Sequence, residues 1–137
     1  MQYEATLSRE ELIDLALNKY FAQVDAKNLD AVLDCFHDEA LMCTQTAFAR
    51  HSGKAEIKRM FTDFMGEWDK IVHKDFTCTV DVKNGRIAAS FEAVLTAADG
   101  SETHLFNTNF WRIRIGSDGK ARFQEVYVYM SGENPLV

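Results

Sequence analysis

Long apolar runs are missing from this chain. No stretch approaches the roughly 20 apolar residues that a membrane-spanning helix needs. There is one proline in 137 residues, and no repeat, low-complexity tract or linker-like segment. Positive charge is scarce: 15 Lys and Arg against 21 Asp and Glu leave a net charge of −6. That balance argues against a nucleic-acid footprint, and an anionic membrane surface would repel the chain. The opening residues, MQYEATLSREEL, are acidic and lack the apolar core of a secretion signal, so a cytoplasmic protein is expected. No glycine-rich phosphate loop, GxSxG or Rossmann fingerprint occurs, and no HxH or HExxH spacing. Neither a metal nor another cofactor is expected. Cysteines number three, Cys35, Cys43 and Cys78, with no CxxC among them. Each lies in an apolar-patterned segment, which reads as small buried hydrophobes under reducing conditions. A nucleophilic Cys43 or Cys78 is the weaker alternative, because nothing near either in sequence lowers a thiol pKa.

What is present is an ordinary globular composition, 47% hydrophobic and 26% charged, over a length that suits one domain spanning 1–137. Helix signals fill the first half. Ser8 followed by Glu11 fits a capping box. Leu12, Ile13, Ala16, Leu17, Tyr20, Phe21 and Val24 then recur at helical spacing. After Lys27-Asn28, with Asn28 a candidate cap, Leu29, Val32, Leu33 and Phe36 predict a short second helix. ALMCTQT predicts a short strand. HSGKAE opens a third helix, with Ile57, Met60, Phe61, Phe64, Met65 and Trp68 as its apolar stripe.

The second half reads as strands. FTCTVDV alternates, Asn84-Gly85 signals a hairpin, and RIAASFEAVLTA comes next. Asp99-Gly100 and GSDGK mark two more turns around LFNTNFWRIRI and before ARFQEVYVYM. Four long strands joined by tight turns predict an antiparallel meander, and three leading helices make the class α+β. A strongly twisted sheet curls. Curled over two or three helices it becomes a cone, whose concave side predicts a central cavity.

LFNTNFWRIRI (105–115) carries an internal contradiction. Trp111, Ile113 and Ile115 point one way, Arg112 and Arg114 the other. Carried backwards, the alternation puts Asn107 and Asn109 on the apolar side, and Phe106 and Phe110 with the arginines. One solution has a polar-lined cavity inside and a partner subunit outside. The other is a β-bulge near Thr108–Phe110 that turns both asparagines to solvent.

The order of elements resembles the nuclear transport factor 2-like superfamily, also called the SnoaL-like fold, over roughly Leu7 to Met130. The resemblance rests on LALNKYFAQVDAKNLDAVLDCFHDEALMCTQT and RHSGKAEIKRMF. Within them lie Val24-Asp25 through Asp38-Glu39-Ala40, then Gly53 to Ile57 and Phe61. The superfamily includes ketosteroid isomerases, polyketide cyclases, epoxide hydrolases, dehydratases, dioxygenase subunits and non-enzymatic binding proteins, so fold alone does not give function. Against the isomerases, the resemblance sets Tyr20 on the tyrosine that hydrogen-bonds the substrate oxyanion. It sets Thr44 on the general-base aspartate. A threonine hydroxyl is not basic near neutral pH, so isomerisation by that route is not expected. The second oxyanion donor of those enzymes aligns near Asn109 or Trp111, and no acid stands there.

These readings give an expectation. The chain is a cone-shaped pocket protein for a small, mostly hydrophobic molecule, possessing cofactor-free acid–base chemistry of the cyclase, dehydratase or hydrolase class if it is an enzyme. Tyr20, Thr44, Phe61, Phe64, Trp68, Asn107, Asn109 and Trp111 are the candidate ligand contacts. Tyr20 and Glu125 are the candidate catalytic groups, Glu125 being placed by alternation with Phe123, Tyr127 and Tyr129. The histidines are His37, His51, His73 and His104; alternation sets His73 and Asp75 on one strand face, to be read either as two solvent-exposed side chains or as a His–Asp pair. A homodimer through the outer sheet face is expected from Phe106 and Phe110. The alternative is a non-catalytic binding or assembly module, or a small subunit of a larger enzyme.

Overall fold

The computed structural model describes residues 7–132; of the predicted domain, 1–6 and 133–137 lie outside the described residues. The first helix starts where its cap places it. Ser8 Oγ accepts from the Glu11 amide at 3.1 Å, and Glu11 Oε1 accepts from the Ser8 amide at 3.4 Å. Helix α1 (Arg9–Ile13) passes into a π turn (Asp14–Lys19) and resumes as α2 (Tyr20–Asp25). The Tyr20 amide donates to the Leu15 carbonyl, five residues back. That extra residue rotates the rest of the helix, bringing Tyr20, Phe21 and Val24 onto the concave side of the sheet. Heptad-like spacing alone does not reveal such a turn.

Helix α3 (Leu29–Asp34) is capped by Asn28, whose Oδ1 accepts from the Ala31 amide at 3.4 Å. The spacing predicts that it runs on to Phe36, but it stops at Asp34. Phe36 instead opens strand β1 (Phe36–Thr44), because β6 captures this segment: the Phe123 amide donates to the Cys35 carbonyl at 2.7 Å. His37, expected at a helix end, is thus a strand residue, its Nε2 3.0 Å from the Arg114 carbonyl. An unpredicted short strand, β2 (Ala49–Ser52), pairs antiparallel with β1. Gly53, at φ +84°, holds a conformation that a side chain disfavours and leads into α4 (Lys54–Glu67). That helix buries Ile57, Phe61 and Met65, while Trp68 is the extended residue just past its end.

Strands β3 (Lys70–Asp81), β4 (Arg86–Thr96), β5 (Glu102–Ile115) and β6 (Ala121–Gly132) form the expected antiparallel meander. The whole sheet, however, has six strands in the order β2-β1-β6-β5-β4-β3, and β1 runs parallel to β6. The sheet is therefore mixed rather than purely antiparallel. It curves, stays unclosed, and carries the three helices on its concave face, which is the α+β cone. Among the described residues, no helix is long and apolar enough to cross a membrane.

Register settles the contradiction in β5. Pairing with β4 and β6 is continuous from Asn107 through Arg112, so no bulge occurs near Thr108. Asn107 and Asn109 are 8% and 3% exposed and face inward; Phe106 and Phe110 are 58% and 47% exposed on the outer face. The irregularity lies further along, between Arg112 and Ile113, where β6 carries Gln124 as an extra residue. It corrects one expectation, and the burial of Arg114 corrects another. Phe123 and Val126 both point inward and are fully buried, whereas Glu125 lies opposite Arg112, 3.9 Å from its guanidinium. Glu125 thus does not share a face with Phe123. Arg114, expected to face water alongside Arg112, is 5% exposed.

A second irregularity lies in β3 between Lys74 and Thr77. Asp75 adopts φ +59° there and is exposed, so it does not sit beside His73. The core is aromatic at its centre. The Phe123 ring lies 5.1 Å from Tyr20, 5.3 Å from Phe36 and 6.3 Å from Trp111, all near edge-on or tilted.

Candidate functional site

The concave side of the cone holds a pocket of about 290 Å³. Of the eight candidate contacts, Tyr20, Thr44, Phe61, Phe64, Trp68, Asn107 and Asn109 lie along it. Trp111 does not. It is packed 5.9 Å from Phe21 and 6.3 Å from Phe123, and its indole Nε1 is buried without a hydrogen-bond partner among the described residues. Glu125 is on the other side of the sheet, beside Arg112 and Tyr127.

Tyr20 is wholly enclosed. Burial pushes its phenol well above the ordinary range, with lesser contributions from Cys35 and Asp25. The hydroxyl therefore keeps its proton and can act as a hydrogen-bond donor, not as a base.

Sequence reasoning singled out His73 but not the acid that holds it. His73, on β3, is gripped by Asp25 at the end of α2. Asp25 Oδ1 lies 2.5 Å from His73 Nδ1, and Asp25 Oδ2 accepts from the His73 backbone amide at 2.9 Å. One carboxylate thus fixes both the ring and the strand that carries it. The imidazole is stacked on Phe21, with centroids 4.3 Å apart, and lines the pocket. With Nδ1 committed to Asp25, Nε2 is the ring nitrogen left for a pocket occupant. The His73–Asp75 pair that alternation allows is thus replaced by His73–Asp25, 48 residues apart. The available signal was Asp25 itself, an acid closing an apolar helix stripe. Its partner is brought to it by tertiary packing, which strand periodicity does not encode.

His37, His51 and His104 are not in the pocket wall. His104 Nδ1 lies 2.6 Å from Glu92 on the outer face, with Lys74 Nζ 3.4 Å from the same carboxylate. The His104 hydrogen bond holds Glu92 below the usual carboxylate range. Among the described residues, no group of three His, Cys, Asp or Glu side chains could hold a metal.

The thiols behave as packing. Burial pushes Cys35 up to about 11, against a lowering by Lys19, and Cys35 Sγ points at the Ala31 carbonyl at 3.5 Å. Cys43 is also buried, and Cys78 is half-buried. A neutral-pH titration with a chromogenic disulfide should show one thiol reacting ahead of unfolding, removed by Cys78→Ser, with the other two released only in denaturant. Three thiols reacting at one rate would contradict this.

With a cone and pocket of this form, comparison with known proteins becomes informative. A SnoaL-like domain profile matches residues 17–123. The chain belongs to the SnoaL-like domain family. No curated protein sequence matches it. The fold of this SnoaL-like chain is shared with a candidate aromatic ring hydroxylase from Novosphingobium aromaticivorans, at a TM-score of 0.77, 21% identity, and coverage of 93% and 96% of the two chains. A candidate SnoaL-like polyketide cyclase from Shewanella denitrificans gives 0.75 at 10% identity, covering 90% and 92%. AusH from Aspergillus nidulans gives 0.75 at 14% identity, covering 93% and 88%. At these identities the likeness speaks to the fold.

Proposed function

We propose that this SnoaL-like protein binds a small hydrophobic molecule in the cone and acts on it by cofactor-free acid–base chemistry, with His73 transferring the proton and Asp25 orienting it. The observation that carries the reading is the two-point clamp of Asp25 on His73 at the pocket wall. A histidine held in one tautomer at the wall of an apolar pocket is arranged to accept and return a proton. Tyr20 is a donor to an oxygen of the bound molecule, and Asn107, Asn109 and Thr44 supply further polar contacts. Phe61, Phe64 and Trp68 supply the apolar wall. Solved structures of the same fold include candidate polyketide cyclases and a candidate isomerase, in keeping with proton-transfer chemistry on small molecules.

The test can be run before the substrate is identified. The protein is incubated in deuterium oxide with a panel of apolar ketones and hydroxy-ketones, and deuterium incorporation at carbon is followed by NMR. Catalysed exchange that is lost in His73→Gln, with binding retained, supports the reading. Binding without exchange would favour a non-catalytic binding protein.

The same reading includes a homodimer through the outer sheet face. Phe106 and Phe110 stand exposed there, and Phe110 packs edge-on against the half-exposed Tyr129, centroids 5.7 Å apart. Two or three large apolar side chains on one sheet face are a costly surface for a monomer. Sedimentation velocity should give a dimer for the wild type and a monomer for Phe110→Lys. A wild-type monomer at tens of micromolar would end this part of the proposal.

A further inference from the structure

The pocket wall has an unusual polar inventory. Asn107 and Asn109 are separated by one residue of β5, so their side chains project in parallel, about 7 Å apart. Their cross-strand neighbours offer no hydrogen bonds: Phe91 and Met130 flank Asn107, and Ala89 and Val128 flank Asn109. Both Oδ1 atoms are buried without a partner among the described residues. Turned one way, each amide buries an oxygen that needs a donor; turned the other way, it buries an NH2 that needs an acceptor, and either left unmet is destabilising. An uncharged occupant that can both donate and accept meets the pair in either orientation.

Charge narrows the occupant further. No lysine or arginine lines the pocket. The ionisable groups along it are Tyr20, His73 and Glu67. Any positive charge on His73 is already matched by Asp25, and Tyr20 stays neutral. A carboxylate or phosphate would enter apolar surroundings with no counter-ion, and an ionised carboxylate only accepts hydrogen bonds. An ammonium would fare no better, since both Asp25 oxygens are engaged with His73 and Glu67 is exposed. A hydroxyl both donates and accepts and carries no charge. The volume, at the low end for ligand pockets, suits about two rings.

Resting on the pocket's role as a small-molecule site, we infer that it selects an uncharged, hydroxyl-bearing molecule of about two rings through the Asn107–Asn109 pair and rejects carboxylates and phosphates.

Three compounds of one shape test this by isothermal titration against the full chain: 2-naphthylmethanol, 2-ethylnaphthalene and 2-naphthoate. The alcohol should bind at least about tenfold more tightly than either relative, as a hydrogen bond to an otherwise unmet amide implies. Asn109→Leu should remove most of the alcohol's advantage while leaving 2-ethylnaphthalene unchanged or slightly tighter. Naphthoate binding as well as the alcohol, or the alcohol binding no better than 2-ethylnaphthalene, would overturn the selectivity while leaving the pocket reading intact. If no compound binds up to its solubility limit, both fall. The wild-type series decides the matter even where the leucine variant fails to fold.

Discussion

His73→Gln should lower catalysed carbon–deuterium exchange by roughly 10²–10⁴-fold, the usual contribution of a positioned general acid–base group. Glutamine keeps most of the side chain's size and polarity but cannot take up a proton. Affinity for the bound molecule should change much less than the rate, which separates proton transfer from binding. Asp25→Asn is the informative companion. It preserves shape and could still approach His73, but its amide end offers a donor where the carboxylate offered an acceptor. Its single oxygen can hold either the ring or the backbone amide of His73 but not both, so one arm of the clamp is lost. A rate loss in Asp25→Asn with an altered pH profile, against unchanged affinity, marks Asp25 as a positioning residue. Exchange undiminished in both variants would remove acid–base chemistry from this pair.

The second large effect is on stability. Phe123→Ala should cost about 3–5 kcal/mol. The side chain is fully buried and meets Tyr20, Phe36 and Trp111 ring to ring. Its own backbone amide closes the β1–β6 seam at Cys35. Chemical denaturation read by tryptophan fluorescence measures the loss, and buried Trp111 reports directly on this cluster. Glu125→Gln, two residues further on, gives the contrast. Its ion pair with Arg112 is long, at 3.9 Å, and both side chains are partly solvated, so the change should stay within about 1 kcal/mol. A Glu125→Gln loss approaching that of Phe123→Ala would mean that the outer face is packed more tightly than the register implies.

These variants also trace how far the sequence could be read. The helix starts, the three hairpin turns and the inward asparagines of β5 were legible, because capping boxes, Asn-Gly turns and period-two alternation are local signals. The errors in phase all arose where one extra residue enters a regular element. Gln124 shifts β6, so alternation counted through it puts Glu125 on the wrong face. The irregularity after Lys74 does the same to Asp75 and hides the fact that His73 turns to α2 instead. The π turn at Asp14–Lys19 is a third insertion of this kind. A bulge or π turn leaves the composition of a segment unchanged and alters only its phase, which is what a pattern count assumes to be constant. The parallel β1–β6 pairing was invisible for another reason: its partners come from distant parts of the described chain, and nothing local marks them.

That pairing has a consequence during synthesis. Among the described strands β6 is the last made, yet it sits inside the sheet between β1 and β5. Until residues 121–132 leave the ribosome, the β1–β2 hairpin and the β3–β5 meander are two fragments with facing open edges. Hydrogen-bonding groups along both edges wait unpaired until β6 emerges. The described sheet thus lacks the strand that joins its halves until residue 132 is made, and chains stalled before residue 121 should be strong clients of chaperones that shield exposed strand edges.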